Sequence, residues 1–90
     1  MSEFDKIIKK GNVLVYFYAD WCGKCKMLNN EFDKLNDIDI IKIDVDKNRD
    51  ICKQYGVMSV PTLIYFKNVD EYKITSGFIS IEEIQEFIKK

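Results

Sequence analysis

Apolar positions along this chain change their period several times, and each change marks an element. Residues 13–19, VLVYFYA, form an unbroken run of strand-forming side chains. A run of that length and composition predicts a strand buried on both faces. Beyond it the period lengthens. Cys25, Leu28, Phe32 and Leu35 fall at i, i+3, i+7 and i+10, which is one face of a helix. Residues 39–45, DIIKIDV, read as a second strand. Asn48 or Asp50 opens a short helix carrying Ile51, Cys52 and Tyr55, with Gly56 past its end. TLIYFK, 62–67, is a third strand, and NVDE turns the chain into a fourth, YKITS, 72–76. At the start, Ser2 with Asp5 caps a helix whose stripe is Phe4, Ile7 and Ile8, ended by Gly11. At the end, Ser80 and Glu83 make a capping box, and Ile81, Ile84, Phe87 and Ile88 give the last helix its buried face.

The strand–helix–strand unit over 13–45 requires parallel strands joined by a right-handed crossover. The last two strands are joined tightly and must be antiparallel. The expected class is therefore α/β: a mixed sheet with helices on both faces. Ninety residues suffice for one domain, 1–90, and not for two.

Composition narrows the function. Apolar residues make up 47% of the chain, which excludes disorder. The net charge is −1, from 14 basic and 15 acidic residues intermixed along the sequence. No stretch reads as a nucleic-acid or membrane surface. The N-terminal residues lack the apolar core and cleavage site of a signal peptide, and the run 13–19 is too short to cross a bilayer. A cytoplasmic protein, with no nucleic-acid or membrane partner, is the expectation. Histidine is absent, which removes His-based acid–base catalysis and every Cys/His zinc pattern. The three cysteines cannot form a complete disulfide framework.

Two of those cysteines stand in FYADWCGKCKM, residues 17–27. Cys22 falls where a strand gives way to a helix. Unpaired backbone N–H groups and the positive end of the helix dipole favour a thiolate there. Cys25 is one turn further on the same face, within reach of Cys22. That arrangement suits thiol–disulfide exchange, with Cys22 attacking a substrate disulfide and Cys25 resolving the mixed disulfide. Two readings compete. The pair could be ordinary core cysteines, or half of a metal site. Structural zinc wants four ligands, and Cys52 lies on another element, so no metal is expected within one chain. Cys52 itself reads as a small packing residue on an apolar stripe.

The motifs together resemble the thioredoxin family. ADWCGKCK is similar to its active site, usually WCGPC, and VMSVPTLIYFKN to its cis-proline segment. Gly77 and the capped last helix match its C-terminal end. The resemblance covers nearly the whole chain and implies a thioredoxin-like α/β/α sandwich acting as a protein-disulfide reductase without a bound cofactor. It implies protein disulfide substrates, a separate electron donor of the thioredoxin-reductase type, and a monomer. Cys22 corresponds to the nucleophile, Cys25 to the resolving thiol and Pro61 to the cis-proline facing them. Val60 would pair its backbone with an extended substrate. Trp21, Met58 and Gly77 would line the contact surface. Alternatives are a more oxidising, isomerase- or oxidase-like member, or a non-catalytic binding or metal-binding module on the same fold.

The chain departs from the family in ways that bear on its chemistry. Residues 1–10 read as a helix where the family usually begins with a strand, so the sheet should have four strands, with 39–45 at an edge. The charges Asp39, Lys42, Asp44 and Asp46 suit that edge. Asn30 occupies the region where the family's active-site helix carries a kinking proline. Lys24 replaces the proline between the cysteines and should tune the pair towards oxidation. Tyr16 stands where the family has a buried aspartate thought to help Cys25 lose its proton. A tyrosine takes a proton poorly near pH 7. It is either plain core or a tuning residue, and its hydroxyl needs a partner, for which Lys42 on the neighbouring strand is the candidate.

Overall fold

The computed structural model describes residues 3–35 and 38–89. Its elements run α1 (Glu3–Lys10), β1 (Val13–Tyr18), α2 (Gly23–Phe32), β2 (Asp39–Asp44), α3 (Arg49–Tyr55), β3 (Thr62–Asn68), β4 (Glu71–Ser76) and α4 (Ile81–Lys89). The expected element order is observed. The cap expected from Ser2 lies outside the described residues.

The strands form a mixed four-stranded sheet in the order β2-β1-β3-β4. β1 and β2 are parallel, with Tyr16 beside Lys42 in the register. β3 runs antiparallel to both β1 and β4. β1 and β3 are thus the central strands, which explains why VLVYFY and LIYF are apolar without alternation: both of their faces are covered. β2 is an edge strand, and Asp39 and Lys42 on it are exposed.

Alternate side chains of the central strands feed two cores. On one face Leu14, Tyr16 and Leu63 pack with Cys25, Leu28 and Phe32 of α2 and with Ile84 of α4. On the other, Val15, Phe17, Ile64 and Phe66 pack with Phe4 and Ile8 of α1 and Cys52 of α3. The helical stripe read across residues 25–35 is shortened. α2 stops at Phe32, Asp33 caps it, and Leu35 reaches the same core from the following turn.

Local chemistry explains the joints. Gly11 has φ 79°, and a β-carbon there would run into the Lys67 carbonyl oxygen, so only glycine fits where α1 ends against β3. Asn48 is the N-cap residue of α3, but its side chain makes no cap; its amide donates instead to the Asp44 carbonyl at 2.9 Å. The capping box of α4 forms as expected. The Ser80 N–H donates to Glu83 at 3.1 Å, and the Glu83 N–H to Ser80 Oγ at 3.3 Å.

A further carboxylate joins the two helices of the active-site face. Glu31, near the end of α2, accepts the Ile81 N–H at 2.7 Å and meets Lys34 at 3.2 Å. This satisfies an N–H at the start of α4 that has no partner within its own helix. The Ile81 N–H first, and Lys34 second, hold the Glu31 carboxyl below its usual range. A folded-state pKa below the unfolded value gives stability that is present above the unfolded pKa and disappears as pH falls through the folded one. The urea midpoint of Glu31→Ala should therefore lie below wild type at neutral pH. That gap should close as the pH drops below about 4. A gap that stays constant with pH would show that the carboxylate charge plays no part.

Candidate active site

The site begins where β1 runs out. The chain leaves the sheet after Tyr18, keeps Ala19 buried, and turns so that the Cys22 N–H donates to the Ala19 carbonyl at 3.1 Å. Cys22 then has extended backbone, φ −91° and ψ 111°, and serves as the N-cap of α2. Its sulfur accepts the Cys25 N–H at 3.2 Å, taking the place that a serine or aspartate oxygen usually fills. The positive end of the helix dipole therefore falls on Cys22 Sγ, and no acidic residue stands in the first turn to oppose it.

Cys25 sits one turn along, below Cys22 and turned into the core with Leu28 and Phe32. It is 1% exposed, against 6% for Cys22. Both thiols are free in this structure. Burial first, and the hydrogen bond to Cys22 second, push the Cys25 thiol above its ordinary pKa. Hydrogen bonds from the Ala19 backbone and the Tyr16 side chain pull the other way.

Tyr16 is fully buried beneath this turn, between Tyr18 and Phe32, with ring centroids at 5.5 and 4.6 Å. Its hydroxyl donates to the Cys25 carbonyl at 2.9 Å. Lys42 was expected as that partner and is not. Although it stands beside Tyr16 in the register, it belongs to an edge strand and is exposed. An ammonium is far better solvated by water than by a phenol in a dry core. Burial, then the hydrogen bond to Cys25, raise the Tyr16 pKa far above its ordinary value. The phenol is therefore protonated near neutral pH.

Trp21, the chain neighbour of Cys22, lines an apolar groove of about 420 Å³ together with Met58 and Val60, with Arg49 and Lys53 of α3 along one side. Three of the residues expected at the contact surface thus meet here. Trp21 is 70% and Met58 96% exposed, unusual for such side chains in a folded domain. The Val60–Pro61 peptide is cis. Gly77, with φ 88°, does not line the groove. Its N–H donates to the Pro61 carbonyl at 2.9 Å, which ties the end of β4 to the proline loop. Lys24 is exposed in the first turn of α2. Cys52 touches the groove from the opposite core, 9% exposed, with its pKa raised by burial.

One residue of this surface escaped sequence reasoning. Asp46 accepts the Trp21 indole N–H at 3.0 Å and holds that ring over the groove. In the sequence it is one more charge after an edge strand. The partners are 25 residues apart, and no local pattern links them. Among the described residues, no group of three or more histidine, cysteine or acidic side chains is arranged to hold a metal ion.

Comparison with known proteins gives one answer. The family model Thioredoxin matches residues 1–90. The thioredoxin of Bacillus subtilis is 38% identical over 94 residues, spanning 99% of this chain and 90% of that protein. The thioredoxin of Staphylococcus epidermidis is 40% identical over 94 residues, with the same coverage of both. Among solved structures, a mutant thioredoxin from Halobacterium salinarum matches with a TM-score of 0.90 at 33% identity, covering 99% of this chain and 82% of that one. An N-capping cysteine with a second thiol one turn behind it is the arrangement that disulfide exchange needs, and on these grounds the chain belongs to the thioredoxin family and is a protein-disulfide oxidoreductase.

Proposed function

We propose that Cys22 is the nucleophile and Cys25 the resolving thiol of a reductase acting on protein disulfides, with electrons supplied by a separate reductase of the thioredoxin-reductase type. The observation that carries this assignment is the asymmetry of the pair. Cys22 Sγ receives a backbone N–H at the positive end of α2, whereas Cys25 is packed into the core with its thiol pKa raised. The first sulfur suits attack and the second suits delayed release. The substrate lies extended in the groove, its backbone against Val60 and its apolar side chains against Trp21 and Met58. Pro61 faces the cysteines, and Gly77 holds the proline loop in place. The protein works as one cytoplasmic domain, 1–90, as a monomer and without a bound cofactor or metal.

Alkylation near neutral pH tests the assignment. Cys22 should be labelled well before Cys25 or Cys52 in the folded protein, and equal rates at all three would sink it. Cys22→Ser should abolish the reduction of insulin by dithiothreitol. Cys25→Ser should accumulate mixed disulfides, and Cys52→Ala should keep most of the activity.

Lys24 favours a second shading of the same function, a pair more oxidising than the common Gly-Pro form. Its ammonium attracts the thiolate of the reduced state and has no such attraction for the neutral disulfide. A proline would also restrict the backbone between the cysteines. About 30 mV corresponds to roughly 1.4 kcal/mol for two electrons, a reasonable size for one solvent-screened charge together with a proline. Lys24→Pro should accordingly lower the reduction potential measured against glutathione by about that amount. A potential that stays put or rises removes Lys24 from the tuning of the pair.

A further inference from the structure

The resolving half of the reaction poses a problem that the cysteines alone do not solve. Cys25 must become a thiolate while almost wholly shielded from water, and burial opposes that. Among the described residues no carboxylate is buried, and the titratable side chains of the apolar cluster around Cys25 are Cys22, Tyr16, Tyr18 and Tyr65. Lys42, the neighbour of Tyr16 on β2, is exposed. The polar atom placed against Cys25 from beneath is the Tyr16 hydroxyl, 2.9 Å from its carbonyl oxygen.

We propose that Tyr16 is a positioning residue for resolution, its buried hydroxyl anchoring the first turn of α2 and donating a hydrogen bond to the Cys25 sulfur when that sulfur carries charge. The inference rests on the assignment of Cys25 as resolving thiol and adds the residue that makes it competent. A hydroxyl rotates about its C–O bond and has a single hydrogen to donate. In the dithiol form that hydrogen goes to the Cys25 carbonyl. A thiolate beside it is a stronger acceptor, because hydrogen bonds to charged groups are roughly twice as strong as neutral ones. The side-chain interaction between the two groups already favours the charged form of Cys25. Tyr16 itself stays protonated throughout, held so by burial and by Cys25, and so acts as a permanent donor and never as a base.

The step balances as follows. Cys25 loses its proton to water. The electron pair on its sulfur forms the bond to Cys22 Sγ, and the bond from Cys22 to the substrate sulfur breaks. The substrate thiolate leaves with that electron pair and takes up a proton from water. Across both exchanges, the substrate disulfide gains two electrons and two protons, and the Cys22/Cys25 dithiol loses them.

The test is Tyr16→Phe, which keeps the ring and removes one oxygen. In a Cys22→Ser, Cys52→Ala background, alkylation of Cys25 is followed across pH with and without Tyr16→Phe. The profile should move to higher pH by about one unit, the size of one hydrogen bond to a charged acceptor. In the full chain, Cys22 is loaded with thionitrobenzoate, and release of the coloured thiol reports resolution directly. Release near pH 7 should slow roughly tenfold in Tyr16→Phe, while alkylation of Cys22 keeps its wild-type rate. An unmoved Cys25 profile in a variant shown to be folded overturns the proposal and leaves Tyr16 as core packing. So does a loss that falls equally on Cys22. Resolution that fails in wild type as well would count against the role of Cys25, a separate result from an unmoved profile.

Discussion

The N–H of Cys25 reaches the sulfur of Cys22 because β1 has no freedom to move. That strand is hydrogen-bonded to β2 on one side and β3 on the other, and residues from Val13 to Phe17 are buried on both faces. The chain must leave it at one point and in one direction. The turn at Ala19 and the first turn of α2 follow from that exit, and so does a sulfur in the N-cap position. Interiors packed at crystal-like density transmit such constraints without slack.

The two thiols need opposite surroundings, and this single turn supplies both. One helical turn separates a sulfur at the helix start from a sulfur packed against Leu28 and Phe32. The dipole and the free backbone donors act within about the first turn, where the Cys22 sulfur sits and accepts the Cys25 N–H. Apolar packing acts on Cys25 and disfavours charge there. On the proposed assignment, the pair would divide the labour of exchange by position, before any neighbouring side chain contributes.

The groove shows the same dependence on distant parts. Trp21 is carried by the turn after β1, Asp46 by the turn after β2, and Val60 and Pro61 by the loop before β3. The parallel β1/β2 pair brings the first two together, because parallel neighbours end on the same side of the sheet. Gly77, just past the end of β4, is tied to the proline loop by its hydrogen bond to the Pro61 carbonyl. A contact surface assembled from loops on a rigid sheet is how α/β folds generally present their chemistry.

The amino-acid sequence by itself determined the order of elements, because the hydrophobic period is a local property. An unbroken apolar run marked β1 as buried on both faces, and the charges on β2 suited the edge position that the resemblance implied. The Ser80/Glu83 box marked the start of α4. It also placed Cys22 at a helix start, since a strand-to-helix change is visible in the period. Tertiary structure alone decided what touches what across the chain. It gave the Tyr16 hydroxyl to Cys25 and not to Lys42, because a fully buried phenol takes the acceptor within the core while a lysine on an edge strand keeps its ammonium in water. It joined Asp46 to Trp21, Glu31 to Ile81, and the Gly77 N–H to the Pro61 carbonyl. Each of these contacts spans many residues and is set by how elements pack, so no period or spacing in the chain encodes it.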